Sequence, residues 1–148
     1  MARGQIDRLE SGSGGVERRL EDSYCLLEHR LGLGAFSEVR LAIKRPGNER
    51  VAVKVANRRG IEKDAAVLNE IRVLSLISAL RSPYLVHLLD VFENERSFML
   101  VFELLPNGSL LDRLQRDGKL EECETRGIVL QLASGLQALH VCEQHLTC

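Results

Sequence analysis

The amino-acid sequence predicts an α+β fold in which a five-stranded antiparallel sheet carries one helix and is followed by further helices. Between residues 24 and 105, short β-rich runs alternate with turn residues. One stretch with helical spacing of apolar residues separates the third run from the fourth, and from residue 108 onward the pattern is helical. With 148 residues, 45% of them hydrophobic, the chain can form one domain with a packed core.

The strands are predicted from apolar and β-branched runs bounded by turn signals. Pro46 and Gly47 lie in the turn between the second and third runs, and the polar segment 93–96 separates the last two. Because successive strands joined by short turns pair antiparallel, one antiparallel sheet is expected. The predicted strands are residues 25–33, a segment ending at residue 43, 50–56, 85–92 and 98–104.

Helices are predicted at about residues 62–78 and 121–140, because apolar residues there recur every three or four positions. Each of these two helices presents one apolar stripe. The stripe residues are Val67, Ile71, Leu74 and Ile77 in the first helix, and Ile128, Leu132, Leu136 and Leu139 in the last. Before the sheet, residues 1–22 are polar and contain a Ser-Gly run at 11–15, so we expect a disordered linker with a helical turn near residues 16–20.

Composition and charge exclude several classes of protein. The formal net charge of −1, from 20 basic and 21 acidic residues, predicts neither a nucleic-acid nor a membrane partner. The sequence contains no apolar run typical of a signal peptide or a membrane span. Its four cysteines are irregularly spaced, which favours reduced thiols. We therefore expect a soluble protein of the cytosol or nucleus.

The pair Gly32 and Gly34 is the first motif with a chemical implication. Glycine lets a backbone approach a phosphate closely, although most such pairs are simple turns. A dinucleotide-binding fingerprint would need a helix to begin at these glycines, and a P-loop would need Gly-Lys-Ser/Thr; neither pattern is present. A glycine turn between two antiparallel strands, lying over phosphates, is the remaining functional interpretation.

Lys54 and Glu70 form the second motif. In the strand Val51-Ala52-Val53-Lys54, alternation directs Ala52 and Lys54 to the same face. Glu70 lies on or beside the apolar stripe of the first helix, where a carboxylate needs a partner, and Lys54 is the candidate. The alternatives are a lysine that reaches solvent from the sheet and a glutamate at the solvated edge of the helix.

Taken together, these motifs resemble the protein-kinase family, over residues 24–140 and in the family's order. Leu31 to Val39 followed by Lys54 resembles the kinase glycine loop and third-strand lysine. Serine replaces the third glycine at position 37, as in the loop of calcium/calmodulin-dependent kinases. The segments 68–71, 82–92 and 99–110 resemble the helix that supplies the glutamate partner, the approach to the fourth strand, and the fifth strand with the hinge. Residues 109–115 resemble the short helix that follows the hinge.

The resemblance implies a serine/threonine protein kinase domain that binds ATP, with Mg²⁺ expected for the family. It implies a linker at 1–22, an N-terminal lobe with the ATP pocket at 23–105, and the first helices of a C-terminal lobe at 106–148. Lys54, paired with Glu70, would hold the α- and β-phosphates. Phe102 would be the gatekeeper, and the Glu103 carbonyl and Leu105 amide would bind the adenine edge. The remaining implied contacts are Leu31, Val39 and Ala52 around the adenine, and Gly32, Gly34, Ala35, Phe36 and Ser37 in the loop over the phosphates.

The sequence contains no His-Arg-Asp and no Asp-Phe-Gly, the family's catalytic and metal-holding motifs. We therefore assign no catalytic residue or Mg²⁺ ligand, and expect the 148 residues alone to be inactive. Two hypotheses follow: a kinase domain truncated before its catalytic loop, with a protein substrate only if the missing lobe exists, or a short non-catalytic regulator. The last helix would expose an apolar face able to associate with itself or with a kinase. A possible metal-ligand set near the end of the chain is interpreted as incidental; it consists of His140, Cys142, His145 and Cys148.

Overall fold

A computed structural model describes residues 18–35 and 37–146, without the side chains of Ile61 and residues 141–146. The described chain contains five strands and four helices. The strands are β1 (Tyr24–Leu33), β2 (Ser37–Lys44), β3 (Arg50–Asn57), β4 (Leu88–Glu93) and β5 (Ser97–Glu103). The helices are α1 (Leu20–Ser23), α2 (Ile61–Ala79), α3 (Leu110–Asp117) and α4 (Glu122–Leu146). Among these helices, none combines the length and apolar character needed to cross a bilayer.

The strands form one sheet in the order β1-β2-β3-β5-β4, and every neighbouring pair is antiparallel. This confirms the predicted five-stranded antiparallel sheet with one helix inserted between the third and fourth strands. β4 lies at the edge of the sheet, beside β5, because the tight turn at Asn94 joins these two strands directly. The Asn94 side-chain oxygen accepts hydrogen bonds from the backbone N–H groups of Arg96 and Ser97, at 2.9 and 2.8 Å.

The two faces of the sheet bury different sets of side chains. One face packs Val51 and Val53 of β3 with residues of β4 and β5, and Leu20 and Tyr24 cover it. The other face packs Phe98 and Leu100 of β5 against Ile71 of α2. Ile71 is only 1% exposed, which confirms that the predicted stripe is the buried side of this helix. α2 is therefore fixed against the β4–β5 half of the sheet.

The predicted fourth strand was wrong at its beginning, because β4 starts at Leu88 and residues 85–87 are not strand. The N–H of Leu85 donates to the carbonyl of Ser82 (3.3 Å), which forms a turn. The N–H of Leu88 donates to Ser78 Oγ in α2 at 2.7 Å. Hydrogen bonds to a turn and to a helix side chain thus replace part of the ladder that the apolar run predicted.

The last helix continues to Leu146, so the predicted end at residue 140 was too early. The residues after position 140 include neither glycine nor proline, so the sequence contains no strong signal that would end the helix there. Gly135 lies where α4 passes the segment before β4: a β-carbon would be 3.4 Å from the Tyr84 carbonyl oxygen. Gly135 therefore lets the helix approach that segment closely.

Residues 18–22, the end of the predicted linker, are among the described residues. α1 is a single turn, and Leu20 is 2% exposed within the core. The helical turn predicted near residues 16–20 lies partly outside the described residues, and within them the turn begins at Leu20. Residues 1–17, which carry most of the predicted linker, lie outside the described residues.

Candidate functional site

The side chains on one face of β2, β3 and β5 form the floor of the candidate site. Val39 lies opposite Lys54, and Ala52 lies opposite Phe102. Residues directly opposite each other in an antiparallel pair share a face, as do alternate residues of one strand. Val39, Ala52, Lys54 and Phe102 are therefore on the same face, the one on which α2 packs. All four are partly buried.

Lys54 and Glu70 meet at the edge of α2. Lys54 Nζ donates to Glu70 Oε1 at 2.6 Å, and the two side chains are 27% and 41% exposed. Lys54 is positioned by β3 and Glu70 by the buried stripe of α2, because Glu70 directly precedes Ile71. The contact proposed from the alternation of β3 and the spacing of α2 is formed.

The glycine turn joins the end of β1 to the beginning of β2, two residues before Val39. The Gly34 N–H donates to the Ser37 carbonyl at 2.8 Å, and a β-carbon on Gly34 would be 3.3 Å from that same oxygen. The register of β1 shifts between Arg30 and Gly32, so the strand is irregular at Leu31, which is 42% exposed. Ala35 is exposed at the turn, and the predicted site residue Phe36 lies outside the described residues.

The hinge residues follow at the end of β5. The Glu103 carboxylate accepts hydrogen bonds from the N–H of His87 (2.8 Å) and from its Nδ1 (2.9 Å). Burial alone would raise the pKa of the Glu103 carboxyl, but the hydrogen bonds from His87 outweigh it and hold the pKa below its usual value. Leu105 is 63% exposed. The sequence carried no signal for His87, because this contact joins positions 16 residues apart across an irregular segment.

A second concavity lies beside the hinge and was not predicted. It encloses about 710 Å³ between the segment 83–87, the hinge residues Glu103 and Leu105, and the apolar face of α4. On that helix Leu132 and Leu136 are 61% and 57% exposed. In the part of the chain that the structure describes, His, Cys, Asp and Glu residues form no group of three or more that could hold a metal ion. Of the four possible ligands near the end of the chain, only His140 has a described side chain, so that interpretation stays a prediction.

Comparison with known proteins identifies this arrangement. The family described as "Protein kinase domain" matches residues 26–145. The human "Hormonally up-regulated neu tumor-associated kinase" is 35% identical over 119 residues, which cover 80% of this chain and 17% of that protein. The "Calcium and calcium/calmodulin-dependent serine/threonine-protein kinase" of Lotus japonicus is 34% identical over 152 residues, covering 83% of this chain and 29% of that protein.

A solved structure also resembles this chain. The crystal structure of Rad53 1-466 in complex with AMP-PNP superposes with a TM-score of 0.70 and 25% identity, over 91% of this chain and 34% of that one. The chain thus spans 17–34% of the lengths of these three proteins. The resemblance drawn from the glycine loop, the lysine and the helix glutamate is confirmed at the level of family and fold.

Proposed function

This chain belongs to the protein kinase domain family, and from that premise we propose that it binds ATP on the open face of its sheet, beneath the β1–β2 turn. The observation that carries the proposal is the ion pair between Lys54 and Glu70, at 2.6 Å. A lysine ammonium has three N–H donors, and one contact with Glu70 leaves two for phosphate oxygens. The carboxylate holds the ammonium at one position, so those donors are already directed when a phosphate arrives.

The turn above the ion pair fits a polyphosphate. A side chain at Gly34 would crowd the Ser37 carbonyl, so the turn is narrow, and glycine lets its backbone come close to a phosphate. We assign the phosphates to the space between this turn and Lys54. Gly32, Ala35, Phe36 and Ser37 complete the assigned loop.

The adenine is assigned to the apolar floor beside the hinge. Val39 and Ala52 lie on the face that carries Lys54, and we assign Leu31 to the opposite wall and Phe102 to the back of the pocket. His87 occupies the Glu103 carboxylate, so we assign adenine recognition to the Glu103 backbone carbonyl and the Leu105 N–H. Apolar walls with a few directed polar groups are typical of ligand sites.

For the reaction class, we propose that the family chemistry is transfer of the ATP γ-phosphate to serine or threonine of a protein. The description of the Lotus japonicus relative as a serine/threonine-protein kinase supports this class. The 148 residues include no His-Arg-Asp and no Asp-Phe-Gly, so no base or Mg²⁺ ligand is assigned. We propose that this polypeptide on its own binds nucleotide without transferring phosphate. Labelling of any protein by the purified chain from γ-labelled ATP would overturn that second statement.

The binding proposal is tested with Lys54→Met and titration of a fluorescent ATP analogue. We expect at least a tenfold loss of affinity, about 1.4 kcal/mol, because a charge-assisted contact to phosphate is removed. Lys119→Met is the matched control, since Lys119 is exposed between α3 and α4. Equal affinities for wild type and Lys54→Met would refute the site.

The alternative function, a non-catalytic regulator, is favoured by the exposed leucines of α4. Clustered apolar side chains that face solvent are typical of contacts with another polypeptide. Leu132→Glu should then shift a concentration-dependent oligomer to monomer in sedimentation experiments, whereas the exposed control Gln137→Glu should not. A monomer at all concentrations for wild type would remove self-association from the proposal.

We also propose a reducing compartment, the cytosol or nucleus. Cys25 and Cys123 are free thiols in the described chain, which supports this location without identifying the compartment.

A further inference from the structure

Arg58 connects three elements at the end of the sheet. It directly follows β3 and lies in the loop that leads to α2. Its guanidinium donates to the Asn94 carbonyl at 2.9 Å, to Asp64 Oδ2 at 3.2 Å and to Glu93 Oε2 at 2.9 Å. Its backbone N–H donates to the Arg96 carbonyl at 2.8 Å. One side chain thus ties the first turns of α2 to the β4–β5 turn.

The same guanidinium lies over a core ring. Arg58 Cζ lies 4.3 Å from the centroid of Phe98, which is 1% exposed. Phe98 belongs to the cluster that contains Ile71 of α2. A planar guanidinium can stack on a ring and donate from several N–H groups at once, whereas a lysine ammonium cannot reproduce this fork. The geometry therefore specifies arginine.

The N-terminal end of α2 depends on this tether. The preceding residue, Gly60, has φ of 102° and no side chain to cap the helix. Asp64, in the first turns, accepts hydrogen bonds from both the Arg58 side chain and the Arg59 N–H, the latter at 3.2 Å. Glu70 follows six residues later on the same helix, about 9 Å along its axis. A helix that tilts or frays at its start will therefore move Glu70 relative to Lys54.

We propose that Arg58 is a positioning residue, one that holds α2 at the distance at which Glu70 reaches Lys54. The inference rests on the proposed nucleotide site, whose affinity would depend on that pair. Arg58, Asp64 and Glu93 are 34%, 19% and 36% exposed, so solvent screens their ion pairs and limits what they add to global stability. Their contribution is to the placement of the helix.

The test compares Arg58→Met, Arg58→Lys and the control Arg72→Met, which removes an exposed charge from α2 itself. Affinity for a fluorescent ATP analogue is expected to fall about fivefold or more in Arg58→Met, the lower end of typical coupling between sites. Arg58→Lys should be intermediate, and Arg72→Met should match wild type. Hydrogen–deuterium exchange of the α2 amides should accelerate in Arg58→Met. If Arg58→Met does not fold, nucleotide affinity and α2 amide exchange are measured on Arg58→Lys instead, and wild-type values for both would refute the inference.

A double-mutant cycle with Glu70→Gln distinguishes positioning from general stabilisation. If Arg58 acts through Glu70, Arg58→Met will cost much less affinity in the Glu70→Gln background. Equal losses in both backgrounds, or wild-type affinity in Arg58→Met, would overturn the inference. If wild type itself does not bind the analogue, the nucleotide site fails as a separate matter. In that case, hydrogen–deuterium exchange of the α2 amides tests whether Arg58 holds the helix. Exchange that is unchanged in Arg58→Met would refute the positioning role of Arg58.

Discussion

Replacing Glu70 by glutamine separates two roles of its ion pair with Lys54, stabilising the fold and orienting the lysine for a ligand. The substitution keeps the size of the side chain and its helix propensity but removes the charge that holds Lys54 Nζ at 2.6 Å. The lysine is then free to sample other rotamers on the open face of the sheet.

The effect on stability should be small. The two side chains are 27% and 41% exposed, so water screens the pair, and pairs of this kind contribute about 0.2–1 kcal/mol to unfolding free energy. The effect on nucleotide affinity should be larger, because an unrestrained lysine must lose its rotamer freedom when it binds phosphate. That entropy is about 1.5–2 kcal/mol for a lysine, which corresponds to roughly 10- to 30-fold weaker binding.

The assay pairs urea unfolding followed by circular dichroism with titration of a fluorescent ATP analogue at constant salt. Glu62→Gln is the control, since it makes the same change of charge at an exposed position of α2. A loss of stability well above 1 kcal/mol would show that the pair mainly supports the fold. If Glu70→Gln binds the nucleotide more tightly than wild type, the reasoning is also refuted, because the carboxylate would then compete with phosphate for Lys54.

Three further predictions concern stability. Leu20→Ala should lower the unfolding free energy by about 2–5 kcal/mol in urea unfolding, because Leu20 is 2% exposed; a loss below about 1 kcal/mol would contradict its burial. Burial, and then the hydrogen bond to Asp90, raise the pKa of Tyr24. The neutral Tyr24 hydroxyl therefore stabilises the fold below pH about 10, and this contribution is lost as pH rises further. Tyr24→Phe should flatten that alkaline loss of melting temperature, and an unchanged alkaline slope would contradict it. The pKa of Glu103 is lowered by its bonds to His87, so its stabilisation is present above pH about 4.3 and lost as pH falls through the folded-state value. The difference in melting temperature between wild type and Glu103→Gln should therefore shrink on acidification, and a constant difference would argue against this pair.

Much of the sheet could be predicted because its information is local. Alternation in β3 and the turn at Pro46 and Gly47 specify strands and their connection within a few residues. The meeting of Lys54 with Glu70 was also accessible, since each residue lies on a face fixed by its own periodicity. To predict their contact, it was enough to assume that α2 packs its buried stripe on the face of the sheet that carries Lys54.

The features that the sequence did not reveal depend on contacts between distant positions. Residues 85–87 look like strand, yet Leu88 N–H donates to a serine ten residues earlier in α2. Arg58 looks like an ordinary charge after a strand, yet its partners Asp64, Glu93 and Asn94 lie 6, 35 and 36 residues away. Neither periodicity nor composition records such pairs. The resemblance to kinases did not reveal them either, since it identified motifs rather than the contacts that support them.

The face of the sheet on which α2 packs has two halves, one covered by the helix and one left open for the candidate site. Because the two halves adjoin, the candidate site depends on the position of the helix. Beneath β4 and β5 this face is filled by the apolar residues of α2, while over β2 and β3 it is left to Val39, Ala52 and the Lys54 ammonium. The carboxylate that pairs with this ammonium belongs to α2. A ligand that binds more tightly when Lys54 is oriented therefore also binds more tightly when α2 is correctly placed. Because such coupling is reciprocal, the bound ligand stabilises that position of α2 by the same free energy that the position adds to ligand binding. Arg58 and a nucleotide would thus stabilise one position of α2 from opposite ends of the same stretch of helix.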